Sequence, residues 1–234
     1  MTTRTPRERY REQTRDEIKD LALAQLAEGG VSSIALTRIA KELGLSGPAL
    51  YRYFAGRDDL VHALIRDAYD DLATAIEQAA TSEAAGRARL VVLAESFRGW
   101  ARKAPHRYLL IAGAPLPGYE APADTVERAR AALGPFLAVF ADGEPGPALK
   151  PLVKQLTAWA KDDEQVRAWV TGYLDGKPAI TVCGTALAGA ITAWTRLHGV
   201  ISLEVEGQFQ GMGFDPGTLL TAETTTLADA FALA

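Results

Sequence analysis

The 234-residue chain has one cysteine, Cys183, and only three histidines, His62, His106 and His198. A lone thiol excludes an internal disulfide framework, and such sparse Cys and His leave no cluster at metal-ligand spacing. Runs alternating between apolar and polar residues are essentially missing, which removes half-buried strands from the expected architecture. No apolar run reaches the length of a membrane span, and MTTRTPRERYREQTRDEIKD at the N-terminus has no apolar signal core. The chain also lacks a Gly-rich phosphate loop and a Gly-x-Ser-x-Gly nucleophile elbow. The expectation is a cytoplasmic protein that is not an enzyme, with no catalytic residue, metal or cofactor. Cys183 reads as a small buried hydrophobe.

What is present is helical period. With 48% hydrophobic residues the chain can bury a sizeable core, and the expected fold class is all-α. Helices are expected over about 15–28, from Leu36 to Gly44, from Ser46, over 57–80, 82–103, 125–141, 147–161, 164–174, 178–207 and 216–233. Val61, Leu64, Ile65, Ala68, Leu72, Ile76 and Ala79 form one long stripe over the fourth. Pro105 is expected to open a looser region through PLPGYEAPAD. Asp215-Pro216 reads as a capping carboxylate followed by the proline favoured at a first helical position. Charge divides the chain unequally: residues 1–57 carry ten Lys/Arg against seven Asp/Glu, and the remainder fifteen against twenty-two. A small basic head on an acidic body suits a polyanion partner.

The stretch TRIAKELGLSGPALYRYF, Thr37 to Phe54, gives that head its chemistry. Two short helices joined by a Gly-containing turn, after a stabilising helix, are the sequence form of a helix-turn-helix. Leu50 and Phe54, at i and i+4, face inward with Leu45, leaving Gly47, Pro48, Tyr51 and Arg52 outward. Gly47 and Pro48 keep the tip slim enough to approach base edges, and Arg52 can pair bidentately with guanine. Ser46 is expected to cap this helix through its hydroxyl, on the amide of Ala49. Tyr51 and Tyr53 suit phosphate or thymine contacts, and Arg57 lies where a phosphate could bridge two elements.

Residues 15–60 resemble the DNA-binding domain of the TetR family of bacterial transcriptional regulators, in Ile39-Ala40, Gly44, Ser46, Leu50-Tyr51, Phe54, Arg57 and Leu60. The resemblance implies an N-terminal three-helix helix-turn-helix domain, over 1–57 with the arm, and a larger helical effector-binding and dimerisation domain over 58–234. It further implies a homodimer whose third helices enter the major grooves of a near-palindromic double-stranded operator. Gly47, Pro48, Tyr51 and Arg52 are then base-side contacts, and Thr37, Ser46, Tyr53 and Arg57 backbone contacts. The family usually caps the second helix with Ser or Thr where this chain has Ala35, so that cap comes from Ser33 or is absent. The N-terminal arm, with Arg4, Arg7, Arg9, Arg11 and Arg15 among acidic residues, either reaches DNA or is a solvated, partly helical extension.

In the acidic body, Trp-Thr-Arg-Leu-His-Gly (194–199) resembles the Trp-His-Gly type of C-terminal domain found in one group of these regulators. That resemblance implies pairing of the last two long helices across a two-fold axis. Ala190, Trp194, Leu197, Ile201, Leu220 and Leu227 are the expected interface positions. His198 reads as a hydrogen-bonded structural imidazole. An effector pocket is implied between helix four and the helices around 85–175, with Trp100, Tyr108, Phe136, Phe140, Trp159, Trp169 and Tyr173 available to line it for a small molecule. The expected function is a repressor released from its operator by that molecule, helix four carrying the signal. The alternative is a helical small-molecule-binding dimer whose head is inactive or serves activation.

Overall fold

A computed structural model describes residues 5–113, 124–176 and 178–234. Among them are eleven α-helices and two single 3₁₀ turns, and no strand. Contacts divide the chain into two compact units, Met1–Ala68 with His106–Pro122, and Tyr69–Pro105 with Ala123–Ala234.

In the first unit, α1 (Pro6–Gly29) begins nine residues before the expected start. Thr5 and Glu8 form a capping box there: the Glu8 amide donates to Thr5 Oγ1 at 3.3 Å and the Thr5 amide to Glu8 Oε2 at 2.8 Å. Residues 6–13 are all exposed, so these first two turns rest on their cap rather than on an apolar face. Burial begins with Thr14, Ile18, Ala22, Gln25 and Leu26.

Helix α2 (Leu36–Glu42) ends in a Schellman turn: the Leu45 amide donates to the Ala40 carbonyl at 2.8 Å and that of Gly44 to Lys41 at 3.2 Å. Gly44 has φ of +64°, which a residue without a Cβ adopts without strain. The turn delivers the chain into α3 (Gly47–Leu50), a single turn continued by turn residues to Tyr53. Leu50 and Phe54 are buried, as their spacing predicts, while Leu45 is half-buried. Ser46 stands at the N-cap, but it is its carbonyl, not its hydroxyl, that takes the Ala49 amide, at 2.9 Å. Ala35 likewise makes no side-chain cap for α2, and Ser33 does not substitute. Instead the Ala35 amide donates to Gln25 Oε1 of α1 at 2.8 Å, a bond that ties the start of α2 to the first helix.

Helix α4 (Arg57–Ala80) runs unbroken through the boundary between the units. Leu60, Val61, Leu64, Ile65, Ala68, Leu72, Ala73 and Ile76 are buried along it. Helix α5 (Gly86–Lys103) follows, and Pro105 opens not a loop but α6 (Pro105–Ala112), because proline at a first helical position costs no hydrogen bond. The PLPGYEAPA part of the expected loose region lies outside the described residues.

The second unit is organised around α10 (Ile180–Val205), against which α5, α7 (Thr125–Phe140), α8 (Lys150–Asp162), α9 (Glu164–Thr171) and α11 (Pro216–Ala230) pack. Glycines allow the closest approaches. A Cβ on Gly184 would lie 1.9 Å from Thr157 Oγ1 of α8, and one on Gly189 would lie 2.0 Å from the Phe140 ring of α7. Asp215 caps α11 as expected, accepting from the Gly217 amide at 3.0 Å.

Candidate nucleic-acid interface

Arginines from α1 hold the end of the short α3 segment. The Arg15 guanidinium carbon sits 4.1 Å from the centroid of the Phe54 ring, and its Nη1 donates to the Tyr53 carbonyl. One turn earlier, Arg11 Nη2 reaches the Arg52 carbonyl at 3.5 Å. These contacts satisfy carbonyls that a one-turn helix leaves open. Arg11 and Arg15 are therefore supports for the α3 segment, and from Pro6 onward the arm they belong to is helix. Sequence reasoning listed them only as arm charges; their spacing of four, on the face that also carries Ile18, was the available signal.

With its C-terminal end held, α3 presents Ser46, Gly47, Pro48, Tyr51 and Arg52 to solvent, Tyr51 at 56% exposure. The Arg52 guanidinium makes no ion pair or hydrogen bond among the described residues, so its fork of donors is available. Tyr53 is half-buried, and Thr37 is exposed on the first turn of α2. Arg57 is exposed at the start of α4 but already donates through Nη2 to the Val31 carbonyl at 2.5 Å.

Arg38, next to Thr37, is fixed in a fork-to-fork pair with Glu28 of α1, Nη1 to Oε2 at 2.6 Å and Nη2 to Oε1 at 2.9 Å, while Nε meets Glu42 at 3.0 Å. The guanidinium holds the Glu28 carboxyl below the usual carboxylate range through these hydrogen bonds. Beside this pair lies a cavity of about 320 Å³ lined by Leu26 and Glu28 at the end of α1, by Val31 of the 3₁₀ turn that follows, and by His106, Leu109 and Leu110 of α6.

The residues suggested for an effector pocket are not all in one unit. Tyr108 belongs to the first; Trp100, Phe136, Phe140, Trp159, Trp169 and Tyr173 belong to the second. Phe136 and Phe140 are fully buried, Phe140 in an edge contact with Phe231 at 4.9 Å between centroids. Trp100 donates to Asp71 Oδ2 at 3.1 Å, Trp169 to the Arg130 carbonyl at 3.2 Å, and Trp159 is 40% exposed. The Tyr173 ring covers Gly134, where a Cβ would be 2.1 Å from it.

The expected interface set on the last two helices is turned the other way. Ala190, Leu197, Ile201, Leu220 and Leu227 are at most 1% exposed and Trp194 is half-buried, so the protomer's own core already covers them. The apolar periodicity marks the inner faces of α10 and α11. Their outer faces carry Thr195, Gly199, Thr218, Thr221, Ala222 and Thr225. The Trp-Thr-Arg-Leu-His-Gly motif is a packing device: Trp194 stacks on Phe97 at 5.1 Å, His198 stands edge-on to both rings, and Arg196 reaches Glu223 at 3.1 Å. Burial lowers the His198 pKa to about 4. Cys183 is buried, which raises its pKa. Among the described residues no cluster of His, Cys, Asp and Glu could hold a metal ion, and no helix is long and apolar enough to cross a membrane.

Residues 18–64 match the family of bacterial regulatory proteins described as the tetR family, and residues 90–227 match a tetracyclin repressor-like C-terminal domain. HTH-type transcriptional regulator Rv1816 of Mycobacterium tuberculosis (strain H37Rv) is 33% identical over 223 residues, 93% of this chain and 92% of that protein. The crystal structure of the protein SCO4313 superposes with a TM-score of 0.76 at 45% identity, covering 95% of this chain and 98% of that one. FadR from Bacillus subtilis, solved in complex with stearoyl-CoA, shares the fold at a TM-score of 0.54 and 14% identity, over 92% of this chain and 98% of that one.

Proposed function

The chain belongs to the TetR family and is a transcriptional regulator with a helix-turn-helix DNA-binding domain, and from that premise we propose that it acts as a homodimeric, cytoplasmic repressor released from a near-palindromic operator by a small molecule. The carrying observation is the exposed face of α3, with Gly47, Pro48, Tyr51 and an uncommitted Arg52 held out by Arg11 and Arg15. Gly47, Pro48, Tyr51 and Arg52 meet base edges; Thr37, Ser46, Tyr53 and Arg57 meet the backbone. The reading units span residues 1–57, and 58–234 carry ligand binding and dimerisation.

Two copies pair through the outer faces of α10 and α11, where short side chains permit close helix approach. Two heads reading half-sites a whole number of turns apart explain why a small displacement weakens both contacts together. Helix α4 supplies the mechanical link, because it begins at Arg57 and continues unbroken into the second unit. The effector is a mainly apolar molecule bound in the second unit near Trp100, Trp169 and Tyr173, since such pockets are chiefly apolar with few polar groups. A coupling of about 1–3 kcal/mol between ligand and operator is enough for release.

The deciding experiment is selection of tight binders from a random duplex DNA pool by the purified protein, followed by sequencing. Enrichment of a near-palindrome is expected. Folded, dimeric protein that enriches nothing would favour the other reading, a helical binding protein that keeps the fold without reading DNA.

A further inference from the structure

The cavity in the first unit touches the residues that restrain Arg38 of α2 and Arg57 at the start of α4. Glu28, on its wall, holds Arg38 in the bidentate pair, and Val31, also on its wall, holds Arg57 through its carbonyl. Its volume of about 320 Å³ lies at the lower end of the range in which small molecules are bound. Leu26, Val31, Leu109 and Leu110 make the walls apolar. Among the described lining residues Glu28, paired with Arg38, is the one acid, and His106 is the one ionisable base. The C-terminal end of α1, with no basic residue in its last turn, contributes the negative end of the helix dipole, and the Glu28 carboxylate adds to it. The only cation bound to Glu28 among the described residues is Arg38, which an incoming ligand could replace.

We infer that this cavity between the end of α1 and α6 is a binding site for a small amphipathic cation, whose apolar part lies against Leu26, Val31, Leu109 and Leu110 and whose charge pairs with Glu28. Its occupant competes with Arg38 for Glu28 and presses on the loop residue that anchors Arg57. Both arginines belong to the elements that meet DNA, so occupancy is felt at the reading surface without passing through the second unit. This rests on the DNA-binding reading only for its consequence; binding itself is independent of it.

The test is a titration of the full-length protein with benzyltrimethylammonium, followed by backbone-amide and arginine side-chain NMR. Neopentylbenzene, of nearly the same shape without the charge, and benzylsulfonate are the controls. Saturable shifts at Gly29, Gly30, Val31 and Leu109 are expected, together with movement of the Arg38 Nε signal. L109W and V31F fill the cavity from opposite walls, and whichever retains the helical circular dichroism spectrum binds the cation at least tenfold more weakly. E28Q weakens the cation at least fivefold and leaves the neutral probe unchanged. Shifts confined to the second unit, no saturation, or an Arg38 signal that stays still at saturation would overturn the site or its coupling. A neutral probe binding as tightly as the cation would overturn the ligand class. DNA is absent from this assay, so a protein that reads no operator could still pass it, and a true repressor could still fail it.

Discussion

Arg15 lies over the face of Phe54, 4.1 Å from the ring centroid, and thereby joins the first helix to the end of the reading segment. Phe54 is fully buried, so the guanidinium closes the core where a one-turn helix could not close it alone. Arg15→Ala removes the cation–π contact and the bond to the Tyr53 carbonyl. It should cost about 1–2 kcal/mol of stability, read as a lower urea midpoint at unchanged slope. Arg15→Lys keeps a charge but loses the planar fork, and should recover only part of that. Operator affinity falls with both, because the displaced segment carries Tyr51 and Arg52. Equal urea midpoints for wild type and Arg15→Ala would mean that the contact contributes nothing in solution.

The buried ion pair of the second unit gives a larger effect. Arg98 of α5 pairs with Glu204 of α10 through Nε at 2.7 Å and Nη2 at 2.8 Å, and reaches Asp215, the cap of α11, at 3.5 Å. Arg98→Met leaves Glu204, 12% exposed, with only the longer contact to Arg102 at 3.5 Å, so a loss of about 1.5–3 kcal/mol is expected. Adding Glu204→Leu should restore most of it, since replacing both members of a buried pair by apolar groups is often neutral. Thermal and urea unfolding of the two single variants and the double variant measure the coupling. A double variant no better than the worse single one would show that the pair is not the unit of stability.

His198 makes stability depend on pH in a defined window. Burial against Phe97 and Trp194 lowers its pKa to about 4 from an ordinary 6.5. The unfolded chain therefore takes up a proton at His198 that the folded chain refuses. The contribution is fully present above about pH 6.5 and is lost as pH falls toward 4, an amplitude of about 3 kcal/mol. His198→Phe lacks this proton, so the difference between wild type and variant, followed by urea unfolding from pH 7 to 4, should slope with pH. A pH-independent difference would put the imidazole in a more hydrated setting.

Helix positions were legible where packing alone decides them. The stripe from Val61 to Ala79 gave α4 its bounds, since a long one-sided pattern has only one helical reading. The first two turns of α1 carry no apolar face, and only the Thr5 and Glu8 capping box announced them. Helix α6 was hidden because Pro105 reads both as a breaker and as a first helical residue. In the candidate site, the outward set on α3 followed from its local spacing, whereas the roles of Arg11 and Arg15 depend on which carbonyls the tertiary fold brings within reach. The burial of the expected interface residues has a similar cause. Periodicity shows that Ala190, Leu197 and Leu227 face something apolar, but not whether that surface belongs to the same chain.

Two glycine substitutions with the same intrinsic effect should have opposite outcomes. Alanine is favoured over glycine in a helix by about 1 kcal/mol. At Gly99, exposed on α5 with nothing within 4 Å of the new Cβ, that gain should appear as a higher melting temperature. At Gly189 the Cβ would fall 2.0 Å from Phe140, so α10 and α7 must separate or Phe140 must leave its rotamer. Gly189→Ala should lose about 2 kcal/mol despite the better propensity. If both variants were stabilised, Gly189 could not lie against the Phe140 ring, and α10 and α7 would have to be further apart.

Arg52 and Arg57, both exposed in the head, should fail differently. Arg52 projects from α3 with an uncommitted guanidinium, whereas Arg57 sits at the start of α4 with one nitrogen already on the Val31 carbonyl. Against the selected operator, Arg52→Ala should cost about 1–3 kcal/mol and relax preference at one base position in each half-site. Arg57→Ala should weaken operator and scrambled duplex to a similar degree and reduce the salt slope by about one per head, because a phosphate contact carries no sequence information. Filter binding of both duplexes over a range of salt separates the two. An equal, sequence-blind loss from both variants would move Arg52 to the phosphates and leave Tyr51 and the Gly47-Pro48 tip to read bases. A scrambled-duplex affinity unchanged in Arg57→Ala would mean instead that the bond to Val31 already occupies that side chain.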